Sequence, residues 1–312
     1  METYPQKFKY TKNSAFLTDE QRQFYEDNGF IVFKKLISDE ILDQCLQRFV
    51  DICTKKVAPQ GNTILMKDLE LAKTGKTAEH LYYKINDFLY DDVFFQYAVY
   101  KKLVDVVSSI IGNNITATHS MLINKPPGST CDASRHPMHQ DQYYFPFGPP
   151  ENVVAAWTAL ETINEKNALE TINEKNGCLF VLPGTHKGKL YHHDYPQGVA
   201  NKAFYGVQGF DDHPRVNLIM NKGDTVFFHP VILHGSGPNT TQGFRRAISV
   251  HYVDTNCEFY DFMGTKREEI ANEIVQMFAK KNVILPYQDI WKYKGRLIRG
   301  PAGNFQKYTS RL

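Results

Sequence analysis

The chain has 312 residues, 42% of them hydrophobic, 13% aromatic and 22% charged, a composition that supports a sizeable packed core and excludes disordered and fibrous classes. Lys and Arg exceed Asp and Glu by only 36 − 34 = +2, too little for the field that nonspecific nucleic-acid binding needs. No run reaches the ~18–20 apolar residues of a membrane span and the N-terminus has no apolar signal core. The scattered Cys45, Cys53, Cys131, Cys178 and Cys257 form neither a disulfide framework nor a zinc pattern, so a reducing intracellular compartment is expected.

Thr18 followed by Gln21 is a capping box, and the helix it opens should end at Gly29. Phe30 to Phe33 is a short apolar run with β-branched members. A second helix is expected from Ser38-Asp-Glu, with Ile41, Leu42, Cys45, Phe49, Ile52 and Cys53 at helical spacing. Helical signal then covers Asp87 to Gly112, with Leu103, Val106, Val107, Ile110 and Ile111 in one stripe. The first third, about residues 15–112, therefore reads as mostly α. After Gly112 the pattern turns to β-prone runs: Ile115–Ile123, Val153–Leu160, Cys178–Leu182, Val216–Met220, Thr225–Phe228 and Phe244–Val253, punctuated by Lys125-Pro-Pro-Gly128, Pro183-Gly184 and Asn221-Lys-Gly-Asp224. Helix-length segments between these runs are scarce, which favours an antiparallel sandwich or barrel over about 113–256. A last helix over about 265–281, starting at Thr265 and capped by Glu268, carries Ile270, Ile274, Met277 and Phe278. No linker divides the chain, so 1–312 reads as a single domain, mainly β with flanking α.

Ala159-Leu-Glu-Thr-Ile-Asn-Glu-Lys-Asn167 recurs unchanged as Ala168 to Asn176. Two copies cannot found a solenoid, so the repeat is either an inserted loop or a duplication error in the recorded sequence; as a surface loop it is tolerated because doubling a loop costs only ~0.6 kcal/mol of closure entropy. Deleting residues 168–176 should then leave activity similar.

The strongest chemical signal is Arg135-His-Pro-Met-His139-Gln-Asp141. On a strand, residues two apart share a face, so His139 and Asp141 could present an imidazole and a carboxylate to one ion; a strand-end salt bridge is the alternative. His234, before a glycine turn, can complete a set of two His and one carboxylate, the arrangement of nonhaem Fe(II) oxygenases. Arg245, eleven residues further, has the planar fork that grips a carboxylate and points to a dicarboxylate co-substrate, with the Ser236 hydroxyl able to assist. His136, His186 and His229 have no ligand spacing and are expected to be structural, and His192-His193 solvated.

This set resembles the Fe(II)- and 2-oxoglutarate-dependent oxygenases. Within them Met121-Leu-Ile-Asn-Lys-Pro-Pro, Ser134-Arg-His-Pro-Met-His-Gln-Asp141, Tyr144-Phe-Pro-Phe147, Ala156-Trp-Thr-Ala159, Gly177-Cys-Leu-Phe-Val-Leu-Pro-Gly-Thr-His-Lys-Gly188 and Lys222-Gly-Asp-Thr-Val-Phe-Phe-His-Pro230 are similar to the phytanoyl-CoA dioxygenase family, over nearly the whole chain. The resemblance implies a double-stranded β-helix, the jelly roll, buttressed by N-terminal and C-terminal helices. It implies Fe(II) held by His139, Asp141 and His234, and 2-oxoglutarate bound by Arg245 and Ser236 with Lys84, Met121 and Trp157 lining its pocket. O₂ would be the second co-substrate and ascorbate a candidate reductant. The implied activity is hydroxylation of C2 of a branched acyl-CoA, with Lys187, Lys189 and Arg135 as candidates for a basic rim toward CoA. Ser310-Arg311-Leu312 is a variant of the address read by the peroxisomal import receptor, so a peroxisomal location in fatty-acid α-oxidation is expected. The duplicated nonapeptide departs from the family pattern. Two other readings are a sister oxygenase acting on another small molecule or acyl-CoA, and a non-catalytic acyl-CoA or protein-binding module; the full triad and Arg245 argue against the second. Asp141 argues against the related halogenases, which replace that carboxylate by a small residue.

Overall fold

The computed structural model describes residues 8–67, 73, 75–127, 135–160, 163–165, 168–170, 175, 177–194, 206–210 and 212–307. Helix α1 (Asp19–Asn28) has the expected capping box at Thr18 and ends at Gly29 with φ 77, a left-handed cap that glycine adopts without strain. Strand β1 (Phe30–Phe33) and helix α2 (Asp39–Cys53) follow. Next come β2 (Ile64–Lys67), β3 (Tyr82–Asn86), α3 (Asp92–Ala98) and α4 (Lys101–Ile111).

The helical signal expected over Asp87 to Gly112 is thus two helices. Asp87 sits at φ 57, where no helix can begin, and the first helix waits for Asp91, whose side chain caps Val93 and Phe94. Strands β2 and β3 were not visible in the sequence. Strand β2 is the sheet edge and β3 lies between it and β4, and the mixed burial of both leaves no clean alternation.

The β segment then runs through β4 (Ile115–Lys125), β5 (His136–His139), β6 (Phe147–Gly148), β7 (Val153–Ala159), β8 (Ile163–Glu165), β9 (Ala168–Glu170), β10 (Leu179–Val181), β11 (Val216–Asn217), β12 (Thr225–Phe228), β13 (His234–Ser236), β14 (Arg245–Asp254) and β15 (Glu258–Phe259). Helix α5 (Glu268–Ala279) begins three residues after the expected Thr265, with the Glu268 carboxylate reaching back to the Gly264 amide at 2.9 Å. Helix α6 (Tyr287–Lys294) and strand β16 (Arg296–Arg299), both unforeseen, close the described chain.

Two antiparallel sheets organise these strands. The larger has the order β1-β12-β7-β14-β4-β3-β2, with β16 also on β4; the smaller is β11-β10-β13-β5. Their facing surfaces enclose a core of Phe30, Ala155, Trp157, Ala159, Leu179, Val181, Val226, Phe228, Ile232 and Ala247. The outer face of the larger sheet carries Val154, Ala156, Phe227, Ile248 and Val250 against Leu42, Phe49, Phe94, Leu103 and Val107 of the helices. Strand β7 is buried on both faces, which is why it reads as an unbroken apolar run. At roughly 1.5–3 kcal/mol for each large side chain buried, these two layers hold the sheet that carries the site. The jelly roll and its buttressing helices are as expected.

The first copy of the duplicated segment ends β7, where Ala159 pairs with Ala247. Strands β8 and β9 pair with each other alone, Ile163 opposite Glu170, and join neither sheet. The chain re-enters at Gly177, which needs to be glycine: φ is 78, and a Cβ there would lie 2.4 Å from the Gly237 carbonyl oxygen. Among the described residues no helix is long and apolar enough to cross a membrane.

Candidate active site

His139, Asp141 and His234 are all buried, and one ligand atom from each lies within 4.8 Å of the others. His139 Nε2 is 3.2 Å and His234 Nε2 3.6 Å from Asp141 Oδ1. His139 ends β5 and pairs in register with His234 at the start of β13, so one ladder of the smaller sheet sets the two imidazoles side by side. Two details differ from the sequence reading. Asp141 is not on the strand with His139 but opens a single 3-10 turn, Asp141–Tyr143; the turn, not strand alternation, swings its carboxylate back to the imidazoles. His234, expected before a glycine turn, instead begins a strand that runs through Gly235 to Ser236, entered from the turn that the Ile232 amide closes on the His229 carbonyl.

Each imidazole has its tautomer set by the backbone. His139 Nδ1 lies 2.9 Å from the Pro137 carbonyl and His234 Nδ1 3.0 Å from the Ile232 carbonyl. Both Nδ1–H groups therefore donate, and both Nε2 lone pairs point at the shared centre. Burial pushes the His234 imidazole down to about 4, with His139 adding to it, so it is neutral at pH 7. Burial alone would raise the Asp141 carboxyl, but His234, His251 and His139 outweigh it and hold it well below the usual range. Two imidazole Nε2 atoms and one carboxylate suit a divalent first-row metal such as Fe(II).

Asp141 is oriented from behind. Its Oδ2 accepts from His251 Nε2 at 2.8 Å, leaving Oδ1 toward the imidazoles, and the His251 ring stacks on His119 at 5.6 Å. Sequence reasoning passed over His251, yet a signal was present. It lies six residues after Arg245 on β14, an even spacing, so both project from the same face.

Two cavities meet at the triad, and Lys84, Met121, His136, His139, Asp141 and His251 line both. The narrower, about 70 Å³, runs between the sheets past Trp157 and Ser236 to Arg245 and Lys125. All eight site residues expected from the sequence line it, drawn from β3, β4, β5, β7, β13, β14 and the turn after β5. Arg245 is 1% exposed, and its Nε and Nη1 are buried without a hydrogen-bond partner. Burial lowers its guanidinium to about 9, and the group lies 5.7 Å from the Trp157 ring. A buried unpartnered fork of this kind fits a carboxylate brought by a ligand.

The wider cavity, about 260 Å³, opens on the other side. Ile270, Ile274, Met277 and Phe278 of α5 form an apolar wall, and Asp87, His119 and Lys294 a polar floor. That floor is internally paired: Lys294 Nζ is 3.1 Å and His119 Nδ1 3.2 Å from Asp87 Oδ1. Burial lowers Lys84, between the two cavities, to about 8, against the pull of Asp141 and Asp87.

The other histidines divide. His186 and His229 pack with Tyr10 away from the triad, His186 against the Glu26 carbonyl, as structural residues. His136 lines both cavities, its ring 4.2 Å from that of His139. His193 is not solvated: it is buried, stacks on Tyr143 at 4.0 Å and accepts the Gln140 amide at 2.8 Å, which braces the turn bearing Asp141. His192 is exposed. Of the basic-rim candidates, Arg135 lines the narrow cavity, Lys187 pairs with Asp27 at 3.4 Å and Lys189 lies over Tyr191.

Comparison with known proteins gives a consistent picture. The family model for phytanoyl-CoA dioxygenase (PhyH) matches residues 25–247. Peroxisomal phytanoyl-CoA dioxygenase of Rattus norvegicus is 46% identical over 307 residues, covering 96% of this chain and 88% of that one. A probable phytanoyl-CoA dioxygenase of Caenorhabditis elegans is 44% identical, covering 95% and 97%. Among solved structures, EctD from S. alaskensis with 2-oxoglutarate and 5-hydroxyectoine superposes with a TM-score of 0.57 at 18% identity, over 78% of each chain, a likeness of fold.

Proposed function

The chain belongs to the phytanoyl-CoA dioxygenase family, and from that premise we propose that it is one Fe(II)- and 2-oxoglutarate-dependent dioxygenase domain that hydroxylates C2 of a branched fatty acyl-CoA, phytanoyl-CoA foremost. The observation that carries this reading is the meeting of two unlike cavities at a His, Asp, His triad, one ending in an unpartnered arginine and one walled by an apolar helix.

We assign the metal to His139 Nε2, His234 Nε2 and Asp141 Oδ1, with His251 holding the free carboxylate oxygen. When bound there, Fe(II) supplies dioxygen activation coupled to the oxidative decarboxylation of 2-oxoglutarate to succinate and CO₂. Arg245 and the Ser236 hydroxyl receive the distal carboxylate of the co-substrate, while Trp157 and Met121 pack along its carbon chain and Lys84 adds a donor where the cavities join. The α5 wall lays the acyl chain against the triad so that C2 faces the metal, and excludes water from the reacting bond. Of the basic-rim candidates, Arg135 lines the narrower cavity, and none of the three is among the residues lining the wider one.

Relatives are named peroxisomal, and we place this protein in the peroxisome, delivered by its import receptor. The Ser310-Arg311-Leu312 tripeptide that would be read lies outside the described residues.

The test is succinate formation by anaerobically Fe(II)-loaded protein, with phytanoyl-CoA, a straight-chain acyl-CoA or neither, beside Asp141→Ala. Stimulation by phytanoyl-CoA that vanishes in the variant is the expected result. Stimulation by the straight-chain substrate alone would transfer the assignment to a sister oxygenase. No triad-dependent succinate under any condition would leave a binding module and end the oxygenase reading.

A further inference from the structure

Lys125 ends β4, the strand that also carries Met121 and Ile123 on the same face, and all three line the narrow cavity. It is only 3% exposed. Its Nζ donates to Ser236 Oγ at 2.8 Å and to the Gly237 carbonyl, both neutral acceptors. An ammonium has three N–H groups, so these two contacts leave one for a ligand. Because Ser236 Oγ accepts from Lys125, its own proton is turned outward and can be donated.

Lys125 and Arg245 are thus two buried cationic side chains lining one cavity, and among the described residues neither forms an ion pair. Burying two cations without a counter-charge is costly, and no described residue supplies one. We propose that Lys125 is a co-substrate-binding residue that shares the distal carboxylate with Arg245 and orients Ser236, so that the arm selects a dicarboxylic 2-oxo acid over a monocarboxylic one. This rests on the assignment of the narrow cavity to 2-oxoglutarate.

A second consequence is a proton count. The charged and titratable groups facing Lys125 are Arg245 of β14, His136 of β5 and the Cys178 thiol ahead of β10. Burial first, and then Arg245, lower the Lys125 ammonium well below its ordinary value, with Cys178 opposing weakly. A bound carboxylate reverses that balance, so the group is more basic in the complex and binding takes up a proton. Affinity for 2-oxoglutarate is then greatest at low pH, where Lys125 is already protonated, and declines as pH rises through its value in the free protein.

The experiment is calorimetry of 2-oxoglutarate and of 2-oxovalerate, which lacks the distal carboxylate, binding to the Mn(II)-loaded full chain. It is run in two buffers of different ionisation heat, with Lys125→Gln, Lys125→Met and Lys125→Arg beside the native protein. Gln keeps a donor toward Ser236 without the charge. The expected result is an affinity for 2-oxoglutarate about tenfold lower in the Gln and Met variants, the range for a hydrogen bond to a charged group. The proton uptake disappears with it, 2-oxovalerate binds unchanged, and Arg restores most of the loss. If Lys125→Gln binds 2-oxoglutarate with native affinity and native proton uptake, or if both acids weaken equally, Lys125 is only a structural tether and the proposal is overturned. Native protein that does not prefer 2-oxoglutarate to 2-oxovalerate would instead refute the assignment of the cavity itself.

Discussion

The two cavities that meet at the triad treat buried charge in opposite ways. In the wider one, Lys294 and His119 close on Asp87, so the Lys294 cation is already matched, and Ile270, Ile274, Met277 and Phe278 of α5 form an apolar stretch of the wall. In the narrower one, Arg245 keeps two buried nitrogens unpartnered and Lys125 meets only neutral oxygens. A matched buried charge belongs to the fold, and an unmatched one is held ready for a ligand, since removing it from water is otherwise uncompensated. The contrast therefore supports the proposal that the narrower cavity takes an anion and the wider one a lipid-like chain, without reference to any relative.

The sharpest way to break this contrast is Arg245→Leu. Loss of a two-pronged, charge-assisted grip should weaken 2-oxoglutarate about a hundredfold and leave acyl-CoA binding alone, as titration calorimetry would read; equal losses of both ligands would erase the distinction. His251→Leu acts on the wall the cavities share. It should lower Mn(II) affinity by about 10–100-fold, the usual effect of removing the partner behind a metal ligand, seen by competition with a chelator.

Ile274→Trp fills the apolar side. The KM for a branched acyl-CoA should rise about tenfold with the KM for 2-oxoglutarate unmoved, whereas a shift in the latter would mean that the cavities are not separate arms. The smallest effect is on stability in acid. His119 is pushed down to about 3, mainly by burial, while Asp87 is lowered to about 2 because Lys294 and His119 outweigh its burial. Both lowered groups add stability above their unfolded values, and it is lost as pH falls: through 6.5 toward 3 for His119, and through 3.8 toward 2 for Asp87. Each contributes at most about 1.4 kcal/mol per pH unit inside its window. Urea titrations at pH 7, 5 and 3.5 should show the decline, and Asp87→Asn should flatten its lower part.

Much of the narrow arm was legible: residue type and spacing pointed to His139, Asp141, His234, Ser236 and Arg245, and the family resemblance added Lys84, Met121 and Trp157. Lys125 stands four after Met121 and His251 six after Arg245, and the same parity that made His139 and Asp141 look adjacent would have found both. Parity misled at Asp141 itself, which reaches the triad through a 3-10 turn. The wider arm was not legible. Its wall comes from a helix more than a hundred residues beyond the triad's first two ligands, and its floor joins Asp87, His119 and Lys294 from three distant segments. The burial of His193 escaped for the same reason, since its partner Tyr143 lies in another loop.

What the sequence determined by itself is therefore the local chemistry: ligand types and spacing, the carboxylate-gripping arginine, the capping box at Thr18, the strand runs of the jelly roll and the family they resemble. Only the tertiary structure decided which cations are matched and which are not, how α5 closes one side of the metal site, and that the duplicated segment pairs with itself outside both sheets. The physical reason is that patterning is read over a few residues along the chain. Burial and charge compensation depend instead on contacts between segments that only folding brings together.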